Sequence, residues 1–258
     1  MEKTVSLYSW GVINLIAFIA VIIVNGLANA IPLNGIGTGE LSDLYPNLFV
    51  PTGLTFAIWG IIYLLLAGFS LYGMAAAIKK TQETQILQQI GPWFLISCLA
   101  NISWIFAWHW KKVELSLVFM LIILFSLIVI YIKLSTKSGN PGKIVFILTK
   151  LPFSVYLGWI TVATVANITA LLVNLNWKGF GLSETAWTVM ILSVVIILTC
   201  IVIYREKDMG FTLVVLWAFL GIILKRSGAG DAPLVVTVTG VGMGVIAAFY
   251  GLRLFLLK

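Results

Sequence analysis

The sequence of residues 115–133 is LSLVFMLIILFSLIVIYIK, and no charged side chain occurs in it before Lys133. A membrane-spanning helix needs about 20 consecutive, mostly apolar residues, because the hydrocarbon core of a bilayer is about 30 Å thick. The stretch meets this requirement almost without interruption. It therefore predicts a helix that crosses a membrane, and similar stretches recur along the chain.

The composition of the chain excludes several classes of protein. Of its 258 residues, 61% are hydrophobic and only 10% are charged, and its mean hydropathy is +1.09. Soluble domains are closer to half apolar and a quarter charged, and a soluble fold of this length has too little interior for so much apolar surface. An ordinary cytosolic enzyme, a disordered chain and a nucleic-acid-binding protein are therefore excluded, and membrane lipid is an expected partner.

Eight stretches are long and apolar enough to be membrane helices. They comprise residues 8–30, 51–78, 91–110, 115–133, 147–174, 186–204, 209–225 and 232–255. The seventh stretch is short, so a re-entrant segment is an alternative there. The predicted fold is an all-α, polytopic transmembrane helix bundle of about eight helices.

The basic residues predict the orientation of these helices. With the N-terminus in the cytoplasm, eleven of the sixteen Lys and Arg residues fall on the cytoplasmic side, and an excess of Lys and Arg marks cytoplasmic loops. The remaining five are Lys111, Lys112, Lys178, Lys225 and Arg226. The chain is therefore predicted to be a multi-pass protein of the cell (inner) membrane with both termini in the cytoplasm.

The longest predicted outer loop, residues 31–50, is rich in glycine and contains Pro46, with Pro51 directly after it. Loops of this length in compact domains are often functional, for example as lids over a site. The loop is therefore predicted to be mobile.

Residues for acid–base or metal chemistry are scarce. Charged residues inside a bilayer are costly and usually functional, but none lies at the middle of a predicted span. The lone histidine, His109, lies between Trp108 and Trp110 and is interpreted as a member of an interfacial aromatic belt. Lys150 is interpreted as a snorkelling anchor. No catalytic residue, metal ligand or obligatory cofactor is predicted, and the chain is not expected to be an enzyme.

Three predicted helices carry aromatic and polar residues at helical spacing. Residues three or four apart share a face of a helix, and such faces are formed by Phe56, Trp59 and Tyr63, by Asn101, Trp104 and Trp108, and by Tyr156, Trp159, Ala163 and Asn167. At 1.5 Å per residue, Trp59, Trp104 and Trp159 lie about 12, 20 and 14 Å into the membrane, deeper than an interfacial belt. An indole N–H at that depth needs a hydrogen-bond partner, which Asn101 and Asn167 are able to supply.

These faces have two interpretations. One is aromatic packing between helices, reinforced by hydrogen bonds from Asn and Ser side chains. The other is an apolar cavity with a few amide groups, suited to a flat and mostly apolar molecule such as a porphyrin, a sterol or an isoquinoline-like compound. Residue types alone leave both open.

The same faces resemble motifs of the translocator protein family, the TspO or tryptophan-rich sensory proteins. In YPNLFVPTGLTFAIWGIIY, residues 45–63, Pro46, Pro51, Trp59 and Tyr63 fall in register with the motif that opens the family's second helix. NISW at residues 101–104 and WITVATVAN at residues 159–167 are similar to the motifs of its third and fifth helices. Three motifs in the correct order are more specific than any one of them.

The resemblance implies a TspO-like five-helix membrane core at residues 1–175, with a lid loop at residues 31–50, followed by three appended transmembrane helices at residues 176–258. It also implies a ligand pocket beneath the lid. The ligand-binding residues are then Trp59, Tyr63, Trp104, Trp159, Ala163 and Asn167, together with Asn101 of the third-helix face, and the lid residues are Pro46 and Pro51. In the appended part, Gly240, Gly244 and Gly251 are expected to allow close helix packing.

The predicted function is binding of a hydrophobic planar ligand in a sensory, regulatory or transport role, and the resemblance makes a porphyrin or other tetrapyrrole the candidate ligand. The alternatives are a membrane transporter of small hydrophobic molecules and a light-dependent porphyrin-degrading enzyme, an activity suggested for some members of the family. A purely structural membrane subunit is a further alternative, and a homo-oligomer is left open.

Overall fold

The structure, a computed structural model, describes residues 7–79, 84–136 and 142–255. All regular secondary structure in this part of the chain is helical. The eight long helices are α1 (Leu7–Ala30), α2 (Ile58–Lys79), α3 (Thr84–His109), α4 (Val113–Thr136), α5 (Leu151–Asn174), α6 (Glu184–Glu206), α7 (Met209–Ala229) and α8 (Pro233–Phe255). Each contains a stretch long and apolar enough to cross a membrane. The predicted all-α fold with eight membrane helices is confirmed.

The second predicted span begins differently from the prediction. The chain is extended at Thr52 and forms a 3-10 turn at Gly53–Ala57 before α2 begins at Ile58. The backbone N–H of Thr52 donates a hydrogen bond to the carbonyl oxygen of Gly221 at 3.2 Å. The start of α2 is therefore set by a contact with a residue far along the chain, which an apolar pattern does not reveal.

The seventh helix is longer than the sequence predicts. The predicted span covers residues 209–225, whereas α7 is a continuous helix of 21 residues, Met209–Ala229, or about 32 Å. Asp208 caps its beginning, because Oδ1 of Asp208 accepts a hydrogen bond from the N–H of Phe211 at 3.0 Å. A helix of this length is long enough to cross a membrane, so the shortness of the predicted span no longer favours a re-entrant segment.

Contacts divide the chain into two compact units. The first unit consists of the described parts of Met1–Thr38 and Trp59–Leu157, and the second of Gly39–Ile58 and the described part of Gly158–Lys258. The helix α5 contributes to both units. The domain boundary predicted at residue 175 rests on the resemblance to a family. These contacts do not test it, so it stays a prediction.

In the first unit, α3 packs against α1 and α4. Part of the core is a cluster of Phe69, Phe94 and Phe153, whose rings pack edge to face with centroids 4.7 to 5.8 Å apart. Edge-to-face aromatic pairs are favourable beyond the area they bury. The cluster therefore joins α2, α3 and the first turn of α5.

In the second unit, α8 packs against α6 and α7. The close contact on α8 is made by Gly242, which is buried against Ile196 of α6. Open space surrounds Gly240, Gly244 and Gly251. The expectation that these three glycines permit close packing is therefore wrong within this unit, and Gly242 has that role instead.

Candidate functional site

Four aromatic side chains of the first unit stack along α2 and α3. Trp59 and Tyr63 of α2 stack with ring centroids 5.4 Å apart, and Trp104 and Trp108 of α3 stack at 6.0 Å. The two pairs meet at Trp59 and Trp104, whose centroids are 6.4 Å apart. We call these four residues the aromatic ladder. The structure thus brings together three of the predicted ligand-binding residues, Trp59, Tyr63 and Trp104.

The aromatic ladder is buried at one end and partly accessible at the other. Trp104 and Trp108 are 6% and 5% exposed, whereas Trp59 and Tyr63 are half-buried. Tyr156 of α5 packs edge-on against Trp59, with ring centroids 5.9 Å apart. The partly accessible rings of Trp59 and Tyr63 provide flat, apolar surface of the kind that aromatic ligands stack on.

A buried amide lies beside the ladder. Asn101 of α3 is 1% exposed. Its Nδ2 donates a hydrogen bond to the hydroxyl oxygen of Tyr156 at 3.2 Å, and its Oδ1 accepts one from Nδ2 of Asn25 at 2.8 Å. Asn101 therefore links α1, α3 and α5. Sequence analysis does not identify Asn25, because a single Asn in an apolar run has no characteristic spacing.

The hydroxyl group of Tyr63 is buried and has no hydrogen-bond partner among the described residues. Buried polar groups are nearly always hydrogen-bonded, because leaving one unpaired costs about 1–3 kcal/mol. Such exceptions call for an explanation, for example a water molecule or another bound group. The Tyr63 hydroxyl is therefore a polar group of the ladder that the described residues leave without a hydrogen bond.

His109 anchors the beginning of the outer loop. It is fully buried, its Nδ1 donates to the carbonyl oxygen of Leu33 at 2.9 Å, and its Nε2 accepts from the hydroxyl of Thr38 at 3.0 Å. The carbonyl of His109 accepts a hydrogen bond from Nδ2 of Asn34, and Nε1 of Trp108 donates to the carbonyl of Thr38. The interpretation of His109 as an interfacial belt residue is therefore wrong, because the first turn of the loop folds over it.

Three predicted ligand-binding residues belong to the second unit. Trp159 is 2% exposed and packs edge-on against Phe56, with ring centroids 5.7 Å apart. Ala163 is half-buried and Asn167 is buried, and their spacing places both on the same face of α5 as Trp159. Their part in ligand binding stays a prediction from the resemblance.

The two predicted lid residues have different surroundings within the second unit. Pro51 is buried, and its Cβ lies close to the backbone of Gly221. Pro46 is exposed. Between them, Oδ1 of Asn47 accepts hydrogen bonds from the N–H groups of Phe49 and Val50, both at 3.0 Å. The segment that contains the two prolines is therefore held by specific hydrogen bonds, and its role as a lid stays a prediction.

The helix α7 contacts the part of the second-helix motif that belongs to the second unit. Nε1 of Trp217 donates to the carbonyl oxygen of Thr55 at 2.9 Å, and the ammonium group of Lys225 pairs with Asp43. Sequence analysis does not identify these residues, because they lie more than 160 positions after their partners and outside every motif. A resemblance limited to the first five helices therefore does not include Trp217 and Lys225, whose contacts help to hold this segment in place.

Charged groups of the described residues lie near the helix ends. At the end of α7, Nη1 of Arg226 binds Oδ2 of Asp231 at 2.8 Å. At the beginning of α5, the ammonium group of Lys150 lies 5.8 Å from the ring centre of Tyr131, a cation–π distance. No group of three His, Cys, Asp or Glu residues that could hold a metal ion occurs in this part of the chain.

Comparison with known proteins identifies the family. No curated protein and no solved structure matches the chain significantly. A sequence model of a family described as "TSPO-like protein" matches residues 11–252, so the match extends from α1 into α8. Together with the eight apolar helices, it makes the chain a multi-pass membrane protein that contacts lipid. The chain therefore belongs to the family of TSPO-like proteins.

Proposed function

We propose that this protein binds a hydrophobic, planar ligand at the aromatic ladder, and that the ligand is a porphyrin or another tetrapyrrole. The observation that carries the proposal is the Tyr63 hydroxyl, which is buried without a partner among the described residues. It lies on the ring that stacks with Trp59. A flat, apolar ligand that stacks on these rings and places a hydrogen-bond acceptor near the hydroxyl would use both the ring surface and the free hydrogen-bonding capacity of Tyr63.

The aromatic ladder is better suited to a planar ligand than to a flexible, chain-like ligand. Burial of apolar ligand surface supplies most of the affinity in such sites, and a few polar groups set the orientation. Here the ring faces of Trp59 and Tyr63 supply the apolar surface. The hydrogen bond from Asn101 to Tyr156 fixes the ring edge that packs against Trp59. In the second unit, Trp159, Ala163 and Asn167 stay candidate ligand-binding residues by the resemblance alone, and Pro46 and Pro51 stay candidate lid residues.

The proposed role is sensory or regulatory, or transport, rather than catalysis. The site offers stacking surfaces, phenol groups and amides, and these are groups that bind and orient an apolar ligand. No cofactor is proposed beyond the ligand itself. The protein is proposed to lie in the inner membrane with both termini in the cytoplasm, because basic residues are concentrated on that side.

Titration with protoporphyrin, followed by tryptophan fluorescence, tests this proposal. Wild-type protein in detergent should be quenched in a saturable manner at micromolar concentrations. Trp59→Phe and Trp104→Phe should weaken binding, and Trp159→Phe tests the residue retained from the resemblance. Trp93→Phe is the matched control, because Trp93 is on α3 but packs against Phe125 of α4. No quenching of the wild type, or equal binding by all the variants, would contradict the proposal.

Two further measurements separate the possible roles. A transporter should accumulate the porphyrin in sealed vesicles that contain the protein, and a sensor should bind it without accumulation. A porphyrin-degrading enzyme should generate a new absorbing product under illumination, and that product should disappear in Trp104→Phe.

A further inference from the structure

A cleft of about 420 Å³ opens in the second unit between the end of α5 and the beginning of α6. Pro46 and Asn47 lie at its wall. Its volume falls within the range of about 300–1,000 Å³ that is typical of small-molecule sites. The cleft contains none of the residues of the aromatic ladder and, of the two proposed lid residues, only Pro46.

The cleft has charged lining residues near the loop between α5 and α6, and apolar residues together with Thr169 and Thr188 along the two helices. Lys178 lies in the loop after α5 and Glu184 is the first residue of α6, and both are exposed. Leu172 of α5 and Ile191 of α6 lie farther along their helices. Ile191 is seven positions after Glu184, which corresponds to about 10 Å of helix. A ligand with a charged head and an apolar body matches this order.

The charged end of the cleft is held in a fixed shape. Trp177 and Trp187, which both line the cleft, pack with ring centroids 4.9 Å apart. Nε1 of Trp187 donates a hydrogen bond to the carbonyl oxygen of Gly179 at 2.7 Å. Asn176 and Phe180 adopt left-handed backbone conformations, each with φ of 51°, which non-glycine residues rarely do. The loop therefore keeps an unfavourable conformation that these aromatic contacts and hydrogen bonds maintain.

The two charges at the mouth of the cleft have opposite signs. Neither Lys178 nor Glu184 forms an ion pair with another residue in the described part of the chain. A zwitterionic head group with a phosphate and a primary ammonium group complements both, because the phosphate accepts from the Lys178 ammonium and the ligand's ammonium donates to the Glu184 carboxylate. Lipid head groups lie at the level of the ends of membrane helices, and tryptophan is enriched at this level.

We propose that this cleft binds one phospholipid of the phosphatidylethanolamine class. Lys178 binds its phosphate, Glu184 binds its ammonium group, and an acyl chain runs over Leu172 and Ile191. A choline head group fits less well, because its quaternary ammonium has no N–H to donate to Glu184.

Native mass spectrometry of the full chain tests the site, using phosphatidylethanolamine and phosphatidylcholine with identical acyl chains. We expect the wild type to retain one phosphatidylethanolamine in preference to phosphatidylcholine. Lys178→Ala should reduce retention of both lipids by about fivefold, as expected for loss of one charge-assisted hydrogen bond at an exposed site. Glu184→Gln should keep phospholipid bound but abolish the preference for ethanolamine. Lys112→Ala, an exposed lysine of the first unit, should behave as the wild type.

A second measurement uses phosphatidylethanolamine with brominated acyl chains, which quench nearby tryptophan fluorescence. Quenching should decrease in Lys178→Ala and persist in Lys112→Ala. Equal retention of the two lipids by the wild type, unchanged retention in Lys178→Ala, or an equal loss in Lys112→Ala would overturn the proposal. Porphyrin binding should be unaffected by Lys178→Ala, so failure of this proposal is distinguishable from failure of the proposed function.

Discussion

Gly221 of α7 lies directly against the side chain of Thr55. A Cβ added at position 221 would overlap Oγ1 of Thr55 and would stand 2.9 Å from Cβ of Pro51. The carbonyl oxygen of Gly221 also accepts the hydrogen bond from the N–H of Thr52. The beginning of the segment that carries the second-helix motif therefore packs directly against the backbone of α7, about 170 residues later in the chain. Only glycine at position 221 leaves room for this contact.

Gly221→Ala is expected to destabilise the protein by about 1–3 kcal/mol, because a buried site without free volume must shift to accept a methyl group. Thermal unfolding in detergent measures the change. Gly240→Ala is the matched control, since open space surrounds Gly240 on α8 and alanine is favoured over glycine in a helix by up to about 1 kcal/mol. If both variants unfold at the same temperature, the contact of Gly221 with Thr55 is not important for stability.

The hydrogen bond between Asn25 and Asn101 is expected to couple α1 to α3. A double-mutant cycle with Asn25→Ala and Asn101→Ala should give a coupling free energy between about 0.6 kcal/mol, the average measured for hydrogen bonds between membrane helices, and about 1.7 kcal/mol, the largest value measured. Denaturant unfolding of the four proteins supplies the values. Asn25→Ala with Ser103→Ala is the control cycle, because among the described residues the hydroxyl of Ser103 bonds within its own helix, to the carbonyl of Leu99. Additive effects in both cycles would show that Asn101 is not a crosslink.

His109→Leu is expected to release the turn that His109 holds. The substitution removes the hydrogen bonds to Leu33 and Thr38 and leaves both groups without their partner. Amide hydrogen exchange over residues 33–38 should accelerate by about tenfold or more, because the loss of two hydrogen bonds lowers the free energy of local opening. Trp110→Phe, at a neighbouring residue that is 51% exposed, should leave the exchange unchanged. Equal exchange in His109→Leu and the wild type would show that His109 does not hold this turn.

The sequence predicts the eight helices well because their signal is local. A run of apolar residues of bilayer length is visible without knowledge of its neighbours. Packing between helices has no such signal, because residues that face lipid are as apolar as residues that face the core. The stacking of Trp59 with Tyr63 follows from spacing along one helix, whereas the contact between Gly221 and Thr55 depends on the tertiary fold. His109 shows the same limit, since its burial results from a turn that hydropathy does not predict.

Cysteine labelling tests the predicted orientation. In a background with Cys98 and Cys200 replaced by alanine, Leu44→Cys introduces an exposed thiol on the predicted outer side and Lys79→Cys one on the predicted cytoplasmic side. A membrane-impermeant maleimide added to intact cells should label position 44 only, and position 79 should react after permeabilisation. The reverse pattern would contradict the orientation derived from the basic residues.

The most direct test of the ligand site is the effect of Tyr63→Phe on stability and on porphyrin affinity, measured on the same preparation. The substitution removes a buried hydroxyl that lacks a partner among the described residues, so unfolding stability should rise or remain unchanged. The dissociation constant for protoporphyrin should increase by about 2- to 10-fold, as expected for the loss of one hydrogen bond to the ligand. A loss of stability with unchanged porphyrin affinity would show that the hydroxyl serves the fold, and would contradict a ligand site at the aromatic ladder.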